Sequence, residues 1–395
     1  MKYIEKEMKI KEIIERYPEV IEIFTENGIH KLDDKNILNM VGSLSLKNLL
    51  ISKRIDIDSF MESLEDFIEE NERKKNIDKI SVMGLLPCPV RTPLLTKFNE
   101  FLEAHPEIVV DYELRAASVG LDWIKKDVIE AGHIENLADI FISAGFDLFF
   151  EKDLMGKFKE NKVFKDITGI KEYNEDFEND EISLKDPKGD YSMLGVVPAI
   201  FLVNKEVLGD RKIPTSWKDL LSPEFENSVS LPIADFDLFN SILIHIDYKY
   251  GKDGVKVLGR TLLQSLHPAQ MVKSDKFKEN VPTVTIMPYF FSKMLKGDSK
   301  MVAVWPEDGA IISPIFMLTK DNGKDNLEDI AKFLAGKEIG EVLSHEGLFP
   351  SVNPDVENHI NGKYMWCGWD YIYSNDIGKV LEENKKIFFE KSEVK

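Results

Sequence analysis

From residue 79 onward, short apolar runs rich in β-branched residues alternate with stretches whose apolar positions recur every three to four residues. KISVMGLL (79–86) reads as a strand, PCPVRTP as a loop and LLTKFNEFLEAH as an amphipathic helix. The unit recurs with a strand over 108–114, the loop RAASVG, the helix DWIKKDVIEAG and a third strand, ADIFI (138–142), running into Ser143-Ala144-Gly145. Strand, loop and helix in this order predict a mostly parallel sheet with helices on its faces.

The stretch 158–190 is charged and rich in turn residues, and reads as surface. A second α/β set starts at Leu194, where LGVVPAIFLVN holds two apolar runs broken by Pro198. In PTSWKDLLSPEF, Ser216 is placed to cap a short helix. VSLPIADFD reads as a strand and loop leading into the helix LFNSILIHIDYKYG, and TVTIMPYFFSKML as a strand with Tyr289 and Phe290 at its end. Next comes MVAVWPEDGAIISPIFML (301–318), two apolar runs around a charged turn. Proline cannot donate to a ladder, so the second run is expected at a sheet edge or interrupted at Pro314. The pair is either an ordinary hairpin or a crossover, in which the chain leaves one sheet and enters another. Helices are expected near 325–334 and 340–344 and at the carboxyl-terminal end.

The first 75 residues are helical by pattern. Ile10, Ile13, Ile14 and Tyr17 form one apolar face, Val20 to Gly28 a second short helix, and Leu46, Leu49 and Leu50 a third. Asp56 or Asp58 can cap a fourth, which carries Phe60, Leu64, Phe67 and Ile68 on one side. The charge cluster ENERKKN, ending at Asn76, reads as a linker.

At 395 residues the chain has length for two or three domains, and 43% apolar with 31% charged residues describes a globular protein. The net charge of −19 disfavours nucleic acid and anionic membrane as partners. No window approaches eighteen consecutive apolar residues, so no membrane insertion is expected. The charged start, MKYIEKEMKIKEIIERYPEV, has no signal-peptide pattern, which as the sequence stands points to the cytoplasm. Cys88 and Cys367 lie far apart and form no CxxC spacing. The seven histidines fall in no metal-site spacing. No nucleophile–base pair, phosphate loop or HExxH motif appears.

ADIFISAG, LGVVPAIFLVNKEVL, PTSWKDLLSPEFENSVSLP and WPEDGAIISP, in this order, resemble the type 2 periplasmic solute-binding proteins of ABC importers, nearest the branch that includes ferric-ion binders. The resemblance covers about four-fifths of the chain. KEIIERYPEVIEIFTENGIH with the later IDIDSFMESLEDFI resembles a small helical domain of unknown function found beside redox proteins. Members of that family carry a Cys pair just after the position of His30, where this chain has KLDDKNIL. The resemblance implies an α/β fold of two lobes joined by crossing strands, preceded by a small all-helical domain. It divides the chain into 1–76 (helical domain and linker), 77–193 plus 310–395 (lobe one) and 194–309 (lobe two).

The implied function is to clamp a small ligand, an oxyanion, a carboxylate or a metal ion, between the lobes. The implied partners are that small-molecule or ion ligand and an ABC importer membrane subunit. A monomer with no cofactor and no catalytic residues is expected. In open α/β sheets, ligands sit outside the carboxyl ends of strands, where loops feed helix N-termini. The candidate ligand-binding residues there are Cys88, Arg91, Ser118, Ser143, Ala144, Asp235 and Tyr289. Each has a plainer reading: an inert thiol for Cys88, a surface ion pair for Arg91, helix caps for Ser118, Ser143 and Asp235. Tyr289 stands where ferric binders of the branch carry two adjacent tyrosines, but the second position here is Phe290. A second hypothesis is a cytoplasmic enzyme or redox-pathway component using Cys88, and a third is a docking module. The MWCGWDYIYSND stretch is expected to pack the carboxyl-terminal region onto lobe one.

Overall fold

The computed structural model describes residues 3–151, 154–159, 162–233, 236–266, 268–297, 299–360 and 362–392. Asp235, one of the candidate site residues, lies outside them. The chain divides into two compact units, Met1–Lys79 and Ile80–Lys395.

In the first unit, helices Ile10–Arg16, Ile21–Glu26, Lys35–Val41, Leu46–Lys53 and Ile57–Asp78 enclose one apolar cluster. The residues of the sequence pattern supply it: Ile10, Ile13, Tyr17, Phe24, Leu46, Leu50, Phe60, Leu64 and Ile68 are all buried. Ser45 and Asp56 accept from the backbone N–H groups of Asn48 and Ser59, capping the last two helices. The helix Lys35–Val41 begins inside the stretch with no expected element, and Asp34 caps it. The ENERKKN cluster, expected as a linker, is helical backbone that continues the helix Ile57–Asp78. Glu, Lys and Arg are good helix formers, so charge alone marks a solvated helix as readily as a break.

In the second unit, ten strands among the described residues form one sheet: β1 (Ile80–Leu86), β2 (Val110–Ala116), β3 (Ile140–Ala144), β4 (Ser192–Asn204), β5 (Val229–Leu231), β6 (Leu262–Ser265), β7 (Val284–Pro288), β8 (Met301–Val304), β9 (Ala310–Thr319) and β10 (Tyr364–Met365). The order is β2-β1-β3-β9-β4-β7-β5-β6, with β10 beside β9 and β8 beside β4. The expected parallel sets appear as β2-β1-β3 and β7-β5-β6. Between them β4 and β9 run antiparallel to each other, β9 pairing with β3 of the first set and β4 with β7 of the second. The 301–318 pair is therefore not a hairpin: β8 and β9 lie one after the other along β4. β8 pairs only within the second set, whereas β9 reaches β3 of the first.

Two expected breaks are absent. β4 runs through Pro198, and β9 runs through Pro314 in the middle of the sheet. The cause is register. Gly145 N–H donates to the carbonyl of Pro314, and Val196 N–H donates to Pro350. In a strand, N–H and C=O of one residue point to the same side, so the Val196–Pro314 pair turns its polar groups away from the β4–β9 ladder. Two residues on, the Pro198–Ile312 pair does the same. Each missing N–H thus faces a side where the neighbouring strand has ended: β3 stops level with Ile315, and β7 ends level with Ala199.

PCPVRTP is not a loop either. The helix begins at Cys88 and continues to Ala104 with Pro93 inside. Pro89 sits in the first turn, where an N–H has no helical partner to lose, and Pro93 forgoes one bond only. Ser143 and Ala144 are the last residues of β3, so the loop begins at Gly145. The 158–190 stretch is not simply surface: Phe158, Phe164, Tyr173, Phe177, Ile182 and Leu184 are buried in the main core. Their spacing follows neither a helix nor a strand period, which is why no pattern shows them.

The carboxyl-terminal aromatics meet the first set and more. Trp369 packs on Phe316 and Tyr191, while Trp366 lies 5.8 Å from His245 of the helix Phe236–Thr261. The last helix, Ile377–Lys391, packs along that same helix, with Phe388 edge-on to Phe239 at 5.1 Å.

Candidate functional site

β1, β2 and β3 run in the direction of β4, and β7, β5 and β6 run against it. Because β4 passes from the first set to the second, both sets aim their carboxyl ends at the stretch between. Ala144, the end of β3, is level with Ile315 and so with Gly195. Pro288, the end of β7, is level with Ala199. From Gly195 to Ala199 the strand advances about 13 Å at roughly 3.3 Å per residue. Two groups of strand ends therefore oppose each other across β4 and β9, the arrangement in which α/β sheets take ligands.

Cys88 is the first residue of its helix and is exposed. Pro89 has no N–H, and those of Val90 and Arg91 return to the Pro87 carbonyl. This turn is therefore poorer in donors than an ordinary helix start. Arg91, half-buried in the same turn, donates from Nε to the Leu114 carbonyl at 2.8 Å, which ties the guanidinium to β2. Ser118 lies in a short 3₁₀ turn, Ala117–Val119, after β2 and is exposed. Ser143 is fully buried and donates to the Ala144 carbonyl, and Ala144 is buried beside it. Tyr289 opens the 3₁₀ segment Tyr289–Met294 after β7, its ring edge-on to Trp305 at 5.3 Å. The structure thus brings Cys88, Arg91, Ser118 and Ala144 to one set of strand ends and Tyr289 to the other.

The two sides touch. Phe290 joins the apolar cluster of the first set and stacks on Phe349 at 6.1 Å. Lys293 Nζ donates to the His345 carbonyl at 3.4 Å. Gly145, at φ +85°, lies so close to Asp237 that an added Cβ would stand 2.6 Å from its Oδ1. Only glycine meets both demands, the left-handed backbone and the close approach.

Behind the crossing strands, Ser241 donates to the Ile312 carbonyl at 2.6 Å, and Ser313 donates to that of Asp237. One turn on, His245 is fully buried with Nδ1 2.7 Å from the Ser241 carbonyl. A proton on Nδ1 makes that contact a hydrogen bond, and burial lowers the imidazole pKa to about 4. Asp308, in the turn before β9, accepts from Trp217 N–H, Tyr250 and Lys249. Its carboxylate is a structural clamp for the joint. Phe290, Phe349, Lys293 and His345 escaped sequence reasoning as a contact, because their pairing depends on tertiary closure. The one available signal was the phenyl group beside Tyr289.

Two sets of strand ends facing each other across shared crossing strands define a bilobal binding-protein fold. Residues 135–375 match the bacterial extracellular solute-binding protein family, and the chain belongs to that family. Residues 4–61 match a domain of unknown function (DUF1858).

Among solved structures, the ferric binding protein from Campylobacter jejuni is similar, with a TM-score of 0.56 and 16% identity over 79% of this chain and 99% of that one. The apo ferric ion-binding protein A of Pasteurella haemolytica gives a TM-score of 0.56 and 16% identity over 80% and 98%. An ABC transporter structure from Clostridium perfringens gives 0.54 and 15% over 78% and 99%. A comparison with curated proteins gives no match. Among the described residues, no helix is long and apolar enough to cross a membrane.

Proposed function

We propose that the chain is the solute-binding component of an ABC-type importer and closes its two lobes on a small oxyanion or carboxylate. The observation that carries this reading is the opposed pair of strand-end groups, with Arg91 anchored at the edge of one of them. A guanidinium fixed through Nε presents its remaining N–H groups as a fork suited to carboxylate or oxyanion. Arg115, in β2, lies over the Trp123 ring at 4.1 Å and is paired with Glu113, which leaves Arg91 as the cation offered to the ligand. Contacts from the Cys88 turn, Ser118, the end of β3 at Ser143 and Ala144, and Tyr289 complete the proposed site. Two fold neighbours are titled ferric binders, so ferric ion is the competing ligand. Against it, Phe290 offers no oxygen beside Tyr289.

Thermal unfolding with sulfate, phosphate, small mono- and dicarboxylates, and ferric citrate tests this, alongside the same scan on Arg91→Ala. Stabilisation by one anion class that disappears in Arg91→Ala supports the proposal. Stabilisation by ferric ion alone overturns the ligand class. A chain that none of these ligands stabilises, and that native mass spectrometry shows to be empty, overturns the clamp itself.

A further inference from the structure

We infer that Phe290 is a latch that holds the lobes together through protein atoms alone, so that closure does not depend on the solute. This rests on reading the gap between the two sets of strand ends as the binding cleft. Phe290 belongs to the segment after β7, yet its half-buried ring packs against the apolar cluster that includes Leu86, Val90, Leu94 and Phe349 beside the first set of strands. It stacks on Phe349 with an interplanar angle of 28°. Phe349 in turn borders the first turn of the Cys88 helix. A Cβ on Gly347 would lie 2.3 Å from Val90 Cγ1 and 2.5 Å from Phe349 Cδ2, so these three residues form one wall.

Neighbouring residues of the same segment divide the work. Tyr289 packs on Trp305 in its own lobe, Phe290 crosses the gap, and Lys293 crosses it again to the His345 carbonyl. An aromatic ring moved from water into an apolar wall gains from area and from ring–ring geometry together. Any solute that binds between the lobes then adds to a closed population already set by Phe290.

The test is a pulsed-EPR distance measurement on the full chain without added solute. Spin labels go on Lys126→Cys and Lys212→Cys, one exposed site on each lobe, in a Cys88→Ser background, since Cys367 is buried. The expected result is one short distance for the otherwise unaltered chain. Phe290→Ala moves the ratio of short to long distances by about tenfold, Phe349→Ala does so from the other side, and Phe290→Leu largely restores the short distance. Tryptophan fluorescence confirms that each variant is folded. An unaltered chain with a broad long-distance distribution overturns the latch, as does a Phe290→Ala distribution that matches it. Because no solute is added, this outcome is separate from whether any anion binds.

Discussion

His245 makes the stability of the second unit depend on pH in a calculable way. Its ring is fully buried, and its Nδ1 contact to Ser241 does not compensate for the loss of hydration of the charged form. The folded-state pKa is about 4, against an ordinary value of 6.5. The folded value lies below the unfolded one, so the unfolded chain binds the extra proton between them. This contribution is therefore fully present above pH 6.5 and is lost as the pH falls towards 4. At about 1.4 kcal/mol per pKa unit the loss is on the order of 3 kcal/mol, a large share of the stability of an ordinary domain. The assay is urea unfolding followed by tryptophan fluorescence at half-unit steps from pH 7.5 to 4.5. All five tryptophans (Trp123, Trp217, Trp305, Trp366 and Trp369) lie in the second unit, so the signal reports that unit alone. Carboxylates titrate in the same range, and the comparison with His245→Leu removes them. The difference between the two profiles steepens below pH 6.5 if the argument holds. Parallel profiles down to pH 5 would refute it.

Asp139 is buried at the opposite end of β3 and accepts from Ser81, Asn322 and Lys324. Burial opposes its charge, but these donors outweigh burial and hold its carboxyl below the usual range. Asp139→Ala removes the shared acceptor of Ser81, Asn322 and Lys324 and is expected to cost about 3–5 kcal/mol in urea unfolding; a loss below about 1 kcal/mol would contradict the network. Thiol titration with a chromogenic disulfide is expected to count one reactive thiol per native chain and two after denaturation. Cys88 is exposed, whereas Cys367 is buried and its thiol is pushed well up in pKa. Two fast thiols in the native protein would contradict this placement.

The fold was largely legible in the sequence where a period repeats. The apolar runs of β1, β5, β7 and β9 and the faces of the amino-terminal helices stand where their spacing puts them. Isolated apolar residues such as Phe164 and Phe177 were not legible, because they reach the core from irregular backbone that Asx turns at Asp166, Asn174 and Asp186 hold in place. The candidate site was legible as a set of loops after strands, but its closure was not. Phe290 and Phe349, like Lys293 and His345, are more than fifty residues apart and meet only in the folded protein.

The in-strand prolines carried information that their propensity hid. Pro198 and Pro314 were each a reason to break a strand, yet they lie inside β4 and β9, and a third proline, Pro288, stands in β7. Pro314 points its nitrogen past the end of β3, and Pro198 points its own past the end of β7. Pro288 is the last residue of β7, three beyond the Ser230–Thr285 pair that ends its ladder with β5. A proline costs a strand nothing where a lateral neighbour has already stopped. In this sheet the lateral neighbours stop at the strand ends that face each other across the gap. The three prolines therefore trace the border of that gap, and they fall there because it is where the sheet has no N–H to lose.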